Sequence, residues 1–188
     1  MSNVRFCPSI AGVDSVDFRP WMLENAYDYY MICIESPHQR MEIQTVMCAL
    51  SIEIILKSFL TTVTSNHGKL NETYEFNKKE VLPKNSNAHD LLLLYEALPV
   101  NIQRYLFDTA DVEILTTNKD LFTQSRYAYE QTANTIHNDD IIKLAAFLIC
   151  KMVFLYRELG CNDPFIKRFD IEKLFLSRVQ PIFMCSVP

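Results

Sequence analysis

His89 and Asp90 stand directly before four consecutive leucines, in the stretch NAHDLLLLYEAL at 87–98. A histidine beside a carboxylate has the residue types for general acid–base work. The same residues also suit the opening of a helix. Asn87 can serve as N-cap and accept a bond from one of the orphan N–H groups. That places Asp90 at N3, the position that reaches back in a capping box. Its negative charge also suits the positive end of the helix dipole. Capping therefore accounts for Asp90 without catalysis. His89 is left between two roles, tying the preceding loop to a neighbour or acting as a base, because a neutral imidazole donates one hydrogen bond and accepts another. Glu53 and Lys57, four apart, form a second charged pair. On a solvated helix face it would be an ion pair worth about 0.3 kcal/mol.

The elements that carry these residues are read from hydrophobic periodicity. A first helix is expected over 18–35, with Pro20 in its first turn and Ser36-Pro37 as its stop. Trp21, Ala26, Tyr29, Tyr30, Ile32 and Cys33 supply its apolar surface. The segment 39–64 carries two apolar stripes, one through Ile43, Val46, Met47, Leu50 and Ile54, the other through Ala49, Ile52, Leu56, Phe59 and Val63. Two stripes imply a central helix with neighbours on more than one side. Residues 65–87 are polar and read as a long connection around a short helical piece. The leucine helix follows and ends at Pro99. A short helix is expected near 101–110, and the pattern weakens towards 135. A strong apolar helix then spans 138–159, capped by Asn138 or Asp139 and ended by Gly160, and an amphipathic helix spans 164–178. The expected architecture is all-α, a compact bundle of about five main helices in one domain over 18–180. A loose arm precedes it (1–17), and a hydrophobic tail (181–188) packs on this molecule or on a partner copy.

Composition narrows the function classes. The chain has 188 residues and only three glycines, so it is poorly supplied for tight turns and phosphate-cradling loops. No Walker motif and no GxGxxG occurs, which disfavours ATP hydrolysis and dinucleotide redox chemistry. A net charge of −5 argues against a broad grip on nucleic acid, which needs many cations to neutralise phosphates. Six cysteines stand without a CxxC, and four scattered histidines form no metal-ligand spacing. Cys33, Cys48 and Cys150 fall in apolar patterns and read as reduced core thiols. No metal or other cofactor is expected. Asp14, Asp17, Glu24 and Asp28 interrupt any leader pattern, and no apolar run reaches a membrane span, so a cytoplasmic protein is expected.

Three stretches, CALSIEIILKSFL at 48–60, HDLLLLYEAL at 89–98 and FTQSRYAYE at 122–130, give the region 39–159 its family likeness. Together they resemble the HEPN-type helical domain. In that pattern an early helix carries Ala49, Leu50, Glu53 and Lys57. His89, Asp90 and Leu91 open a later helix, and Arg126, Tyr127 and Glu130 precede the last major one. The resemblance implies a bundle of about five helices and a homodimer. It also implies one of three roles: metal-independent endoribonuclease of toxin or antiviral type, non-catalytic partner of a small nucleotidyltransferase, or nucleotide- or RNA-binding module. Ribonuclease members place an arginine four to six residues before a histidine, the arginine to clamp phosphate and the histidine to move a proton during attack by the ribose 2′-OH.

That spacing does not occur here. Arg126 and His137 stand too far apart, and His38 precedes Arg40 instead of following it. The leading expectation is therefore a non-catalytic dimerisation or partner-binding module with a nucleotide or RNA surface. The runner-up is a ribonuclease with an atypical site, in which Arg126 holds phosphate and His89 or His137 acts as acid or base. In the structural alternative Arg126 satisfies Glu53 or Glu130, Tyr127 fills a gap between helices, and His67 and His137 are exposed loop residues.

Overall fold

The computed structural model describes residues 5–37, 40–69, 71–121 and 139–179. Helix α1 (Pro20–Glu35) starts on its proline and buries Leu23, Ala26, Tyr30 and Cys33 at 3–4 spacing. Trp21, Tyr29 and Ile32 lie on its outer side, with Ile32 64% exposed. Helix α2 (Met41–Ser58) is buried nearly all round, by Cys48, Ala49, Ser51, Ile52, Ile55 and Leu56. It is the central element that two apolar stripes imply, although Ile43, assigned to one stripe, is exposed at the open end of the helix. Small residues let α1 and α2 approach closely, and the Ser51 hydroxyl donates to the Ala26 carbonyl at 2.7 Å across the interface.

The apolar helix near the C-terminus, α7 (Asp140–Glu158), packs along α2 and α1 and buries twelve of its residues, from Ile141 to Tyr156. Two polar locks fix α5 (Val100–Leu106) against it. The Tyr105 hydroxyl donates to the Lys151 carbonyl at 2.7 Å, and the Lys151 ammonium donates to the Leu106 carbonyl at 2.8 Å. The described part of the N-terminal arm sets two side chains into the core. Phe6 and Val13 are buried, and Phe6 meets Phe147 and Phe154 edge-on.

The expectation of a purely α bundle needs correction at 59–87. α2 ends at Ser58, and residues 62–65 form strand β1 (Thr62–Ser65), paired antiparallel with β2 (Thr73–Glu75) through Thr62↔Glu75 and Val63↔Tyr74. The run TTVT explains the change, because β-branched side chains lose rotamer freedom in a helix and sit well on a pleated ribbon. Asn66 and Gly68 adopt positive φ in the turn. Short helices follow: α3 (Lys78–Val81), α4 (Leu91–Glu96), α5 and α6 (Thr109–Thr117).

The helix expected over 164–178 is also broken, into α8 (Pro164–Arg168), α9 (Ile171–Leu174) and a π-helical turn at Phe175–Val179. Arg157 holds the break open, donating through Nε to the Ile166 carbonyl at 2.7 Å and through Nη2 to the Phe169 carbonyl. The described residues thus contain three long and six short α-helices and one hairpin, instead of about five main helices. Among them, no helix is long and apolar enough to cross a membrane.

Candidate functional site

Glu53 is a carboxylate on the central helix and only 4% exposed, so its charge needs partners that its neighbours must supply. One turn on, the Lys57 ammonium lies 2.6 Å from Oε1. The His89 Nδ1 lies 3.0 Å from Oε1 and 3.1 Å from Oε2. An ionised carboxylate only accepts, so this geometry puts a proton on Nδ1, shared between the two oxygens. The Lys57 ammonium also stands over the Phe76 ring, 4.9 Å from its centroid, where the chain leaves β2. The expectation of a solvated Glu53–Lys57 surface pair is overturned: burial of the central helix takes the carboxylate, and most of the lysine, out of water.

Local structure before α4 delivers His89 to this carboxylate. The Asn87 side-chain oxygen accepts from the His89 backbone N–H at 3.0 Å, an Asx turn that aims the ring at α2. Asp90 then caps α4, accepting from the N–H groups of Leu92 and Leu93 at 3.0 and 3.1 Å. The expected assignment had Asn87 as N-cap and Asp90 at N3. The structure moves the cap to Asp90, and the helix starts three residues later. Leu91 and Leu94 anchor α4 in the core beside α2.

Of the polar residues singled out in the sequence, Glu53, Lys57 and His89 converge, and Asp90 stands beside them as a cap. Arg126, Tyr127, Glu130 and His137 lie outside the described residues. His89 keeps its side chain 42% exposed while Glu53 is covered. The cluster thus consists of one buried acceptor, one mostly covered lysine and one part-exposed imidazole held by its Nδ1–H. Such a ring can orient a bound group or move a proton through Nε2. Among the described residues no group of three or more His, Cys, Asp or Glu is placed to hold a metal ion.

A second site was not anticipated. A cavity of about 800 Å³ opens at the N-terminal end of α1, between the 16–21 segment, the hairpin turn at 67–69 and the 161–164 connection. Arg19, 7% exposed, lines it, as do Trp21, Glu24, Lys69, Glu72 and Asp163. The Arg19 guanidinium donates through Nη1 to the Phe18 carbonyl at 3.0 Å and through Nη2 to Asp17 at 3.2 Å. Its Nε meets no acceptor among the described residues. Glu72 is already engaged by the Gly68 N–H and the Tyr74 hydroxyl. Burial, together with the charges of Asp163 and Asp28, pushes the Glu24 carboxyl above its ordinary range. His67 is exposed on the hairpin turn, where the sequence places it, but faces this cavity instead of open solvent alone. The one signal in the sequence is Arg19-Pro20-Trp21: a cation, a helix start and the chain's single tryptophan in succession.

No family model matches the chain, and neither a curated protein nor a solved structure matches it at a significant level.

Proposed function

We propose that this chain is a non-catalytic helical module that assembles with a second copy of itself through the end of the bundle where α1 passes into α2. The carrying observation is apolar exposure concentrated there: Ile32 is 64% exposed and Ile43 51%, with Tyr29 and Met41 beside them in sequence and also open to water. The Cys33 thiol reaches the Gln44 carbonyl at 3.4 Å, which puts the end of α1 beside the start of α2 and brings Ile32 and Ile43 to one end of the molecule. Clustered apolar side chains of this size mark association surfaces more often than chance. The HEPN-type resemblance, with its homodimers, belongs to the same proposal. Sedimentation velocity over a concentration series tests it. The expected result is a dimer that Ile32→Glu with Ile43→Glu converts to a monomer of unchanged helicity. A wild-type monomer at every concentration would sink the reading.

One observation favours a second reading. The pairing of His89 with the buried Glu53 carboxylate at 3.0 Å is the arrangement that orients an imidazole for proton transfer. In that reading the chain is a metal-independent endoribonuclease, with Arg126 on phosphate. Cleavage of mixed RNA that persists in EDTA and disappears in a normally folded His89→Ala variant would establish it. Intact RNA under those conditions leaves the non-catalytic module.

A further inference from the structure

The cavity at the start of α1 has two electrostatic poles. Helix α1 is 16 residues long, and no described side chain caps its N-terminus, so its first turn presents the positive end of the helix dipole unscreened. Arg19 sits at that N-cap position, nine-tenths buried, with Nε unpartnered and its Nη2 bonds long, at 3.2 Å to Asp17 and 3.4 Å to the Thr61 carbonyl. The Nε–Nη2 edge is the fork that takes a carboxylate side-on. Asp17 covers it only loosely, its side chain being 86% exposed. Lys69 adds a second positive charge from the hairpin turn.

The opposite pole is acidic. Glu24 follows one turn further along α1, and Asp163 faces it from the start of α8. Burial, and after it the charges of Asp163 and Asp28, raises the Glu24 carboxyl, and neither Glu24 nor Asp163 has a lysine or arginine ion-pair partner among the described residues. Trp21 and Phe18 give the same cavity aromatic surface. A ligand with one charge would satisfy one pole and strain the other. We propose that this cavity binds a small zwitterion of the amino-acid or short-peptide class, its carboxylate on Arg19 and the α1 N-terminus and its ammonium between Glu24 and Asp163. The carboxylate would displace Asp17 and meet Nη2 and Nε together, while the ammonium would relieve the acidic pair.

Trp21 supplies the assay. It is the chain's only tryptophan and lines the cavity, so intrinsic fluorescence reads the site without a label. The protein is titrated with non-aromatic L-amino acids and glycyl dipeptides, and in parallel with their N-acetyl and methyl-ester derivatives, each of which deletes one charge. The expected result is saturable binding of at least one zwitterion. Wild type should bind both derivatives of that zwitterion, and Glu24→Gln should bind the zwitterion itself, about tenfold more weakly or worse, the scale of one lost charge-assisted hydrogen bond. The two arms of the panel separate free amino acids from peptide ends. Arg19→Lys, with circular dichroism confirming its fold, should weaken the N-acetyl derivative's parent by a similar factor. If Arg19→Lys does not fold, Glu24→Gln and the two derivatives decide the matter alone. No saturable change with any panel member overturns the proposal, as does equal affinity for the N-acetyl or ester form, or an unaffected Glu24→Gln.

Discussion

Glu53 shows how burial alters the meaning of a familiar spacing. An i,i+4 glutamate–lysine pair contributes a few tenths of a kcal/mol on a wet helix. Here the carboxylate is out of water and has two donors, so removing it leaves a mostly covered ammonium and an imidazole without their shared acceptor. Glu53→Ala should cost about 3 kcal/mol, the low end for breaking a buried pair, because Lys57 still touches water. Lys57→Met should cost less, since His89 continues to serve Glu53. Urea denaturation of both variants would rank them, and equal midpoints would show that the cluster holds nothing together. Glu24 gives a pH test at the same scale. Its folded carboxyl titrates above the ordinary 4.5, mainly from burial and then from Asp163 and Asp28. Between 4.5 and that raised value the folded chain binds more protons than the unfolded one, so this residue's contribution falls as pH rises. Glu24→Gln should therefore match wild type below pH 4.5 and gain on it as pH climbs through the window. Parallel stability curves for the two proteins would refute the assignment.

The three long helices were legible because each repeats its apolar residues over four or five turns, enough for the 3.6 period to stand out. The shorter elements had no such redundancy. Residues 59–65 continue the apolar pattern of α2 for one more turn, and Val63 fits the helical stripe, yet the pairing of Thr62–Ser65 with Thr73–Glu75 decides the conformation. A partner strand ten residues away is invisible to a periodicity reading of either segment. The start of α4 failed differently. Asn87 and Asp90 are both good caps, and the choice between them depends on where Glu53 draws His89, which is a tertiary fact. Asp90 as the true cap has a consequence. Asp90→Ala should destabilise the protein by about 1 kcal/mol and fray α4, whereas Asn87→Ala should loosen His89 while leaving the helix start intact. Amide exchange at Leu92 and Leu93 reads the difference, and faster exchange in Asn87→Ala than in Asp90→Ala would return the cap to Asn87.

At the scale of the whole molecule, the two candidate sites depend on one core by different routes. Glu53 rides on α2, which packs against both α1 and α7, so the polar cluster is positioned by a helix buried on most of its sides. The cavity is built from what those helices leave at one end: the approach to α1, the hairpin that follows α2 and the connection after α7. Its walls meet the core at Tyr156, whose fully buried hydroxyl accepts from the Arg19 backbone N–H at 3.0 Å and whose ring meets Phe18 edge-on. This explains why the sequence pointed to the first site and not the second. Residues on a periodic helix have predictable neighbours, whereas three loops meeting at a bundle end do not. If those loops are integral to the fold, a cavity made deep in α7 must be felt at Trp21. Leu148, fully buried, is a suitable position, and Leu148→Ala should cost about 2–5 kcal/mol. Far-UV circular dichroism reports all the helices, and Trp21 fluorescence reports only the cavity end. The two urea transitions should coincide in wild type and shift together in Leu148→Ala, as a single cooperative unit requires. A Trp21 transition that precedes the helical one and ignores the substitution would show instead that the cavity end opens on its own, with its walls held by the loops alone.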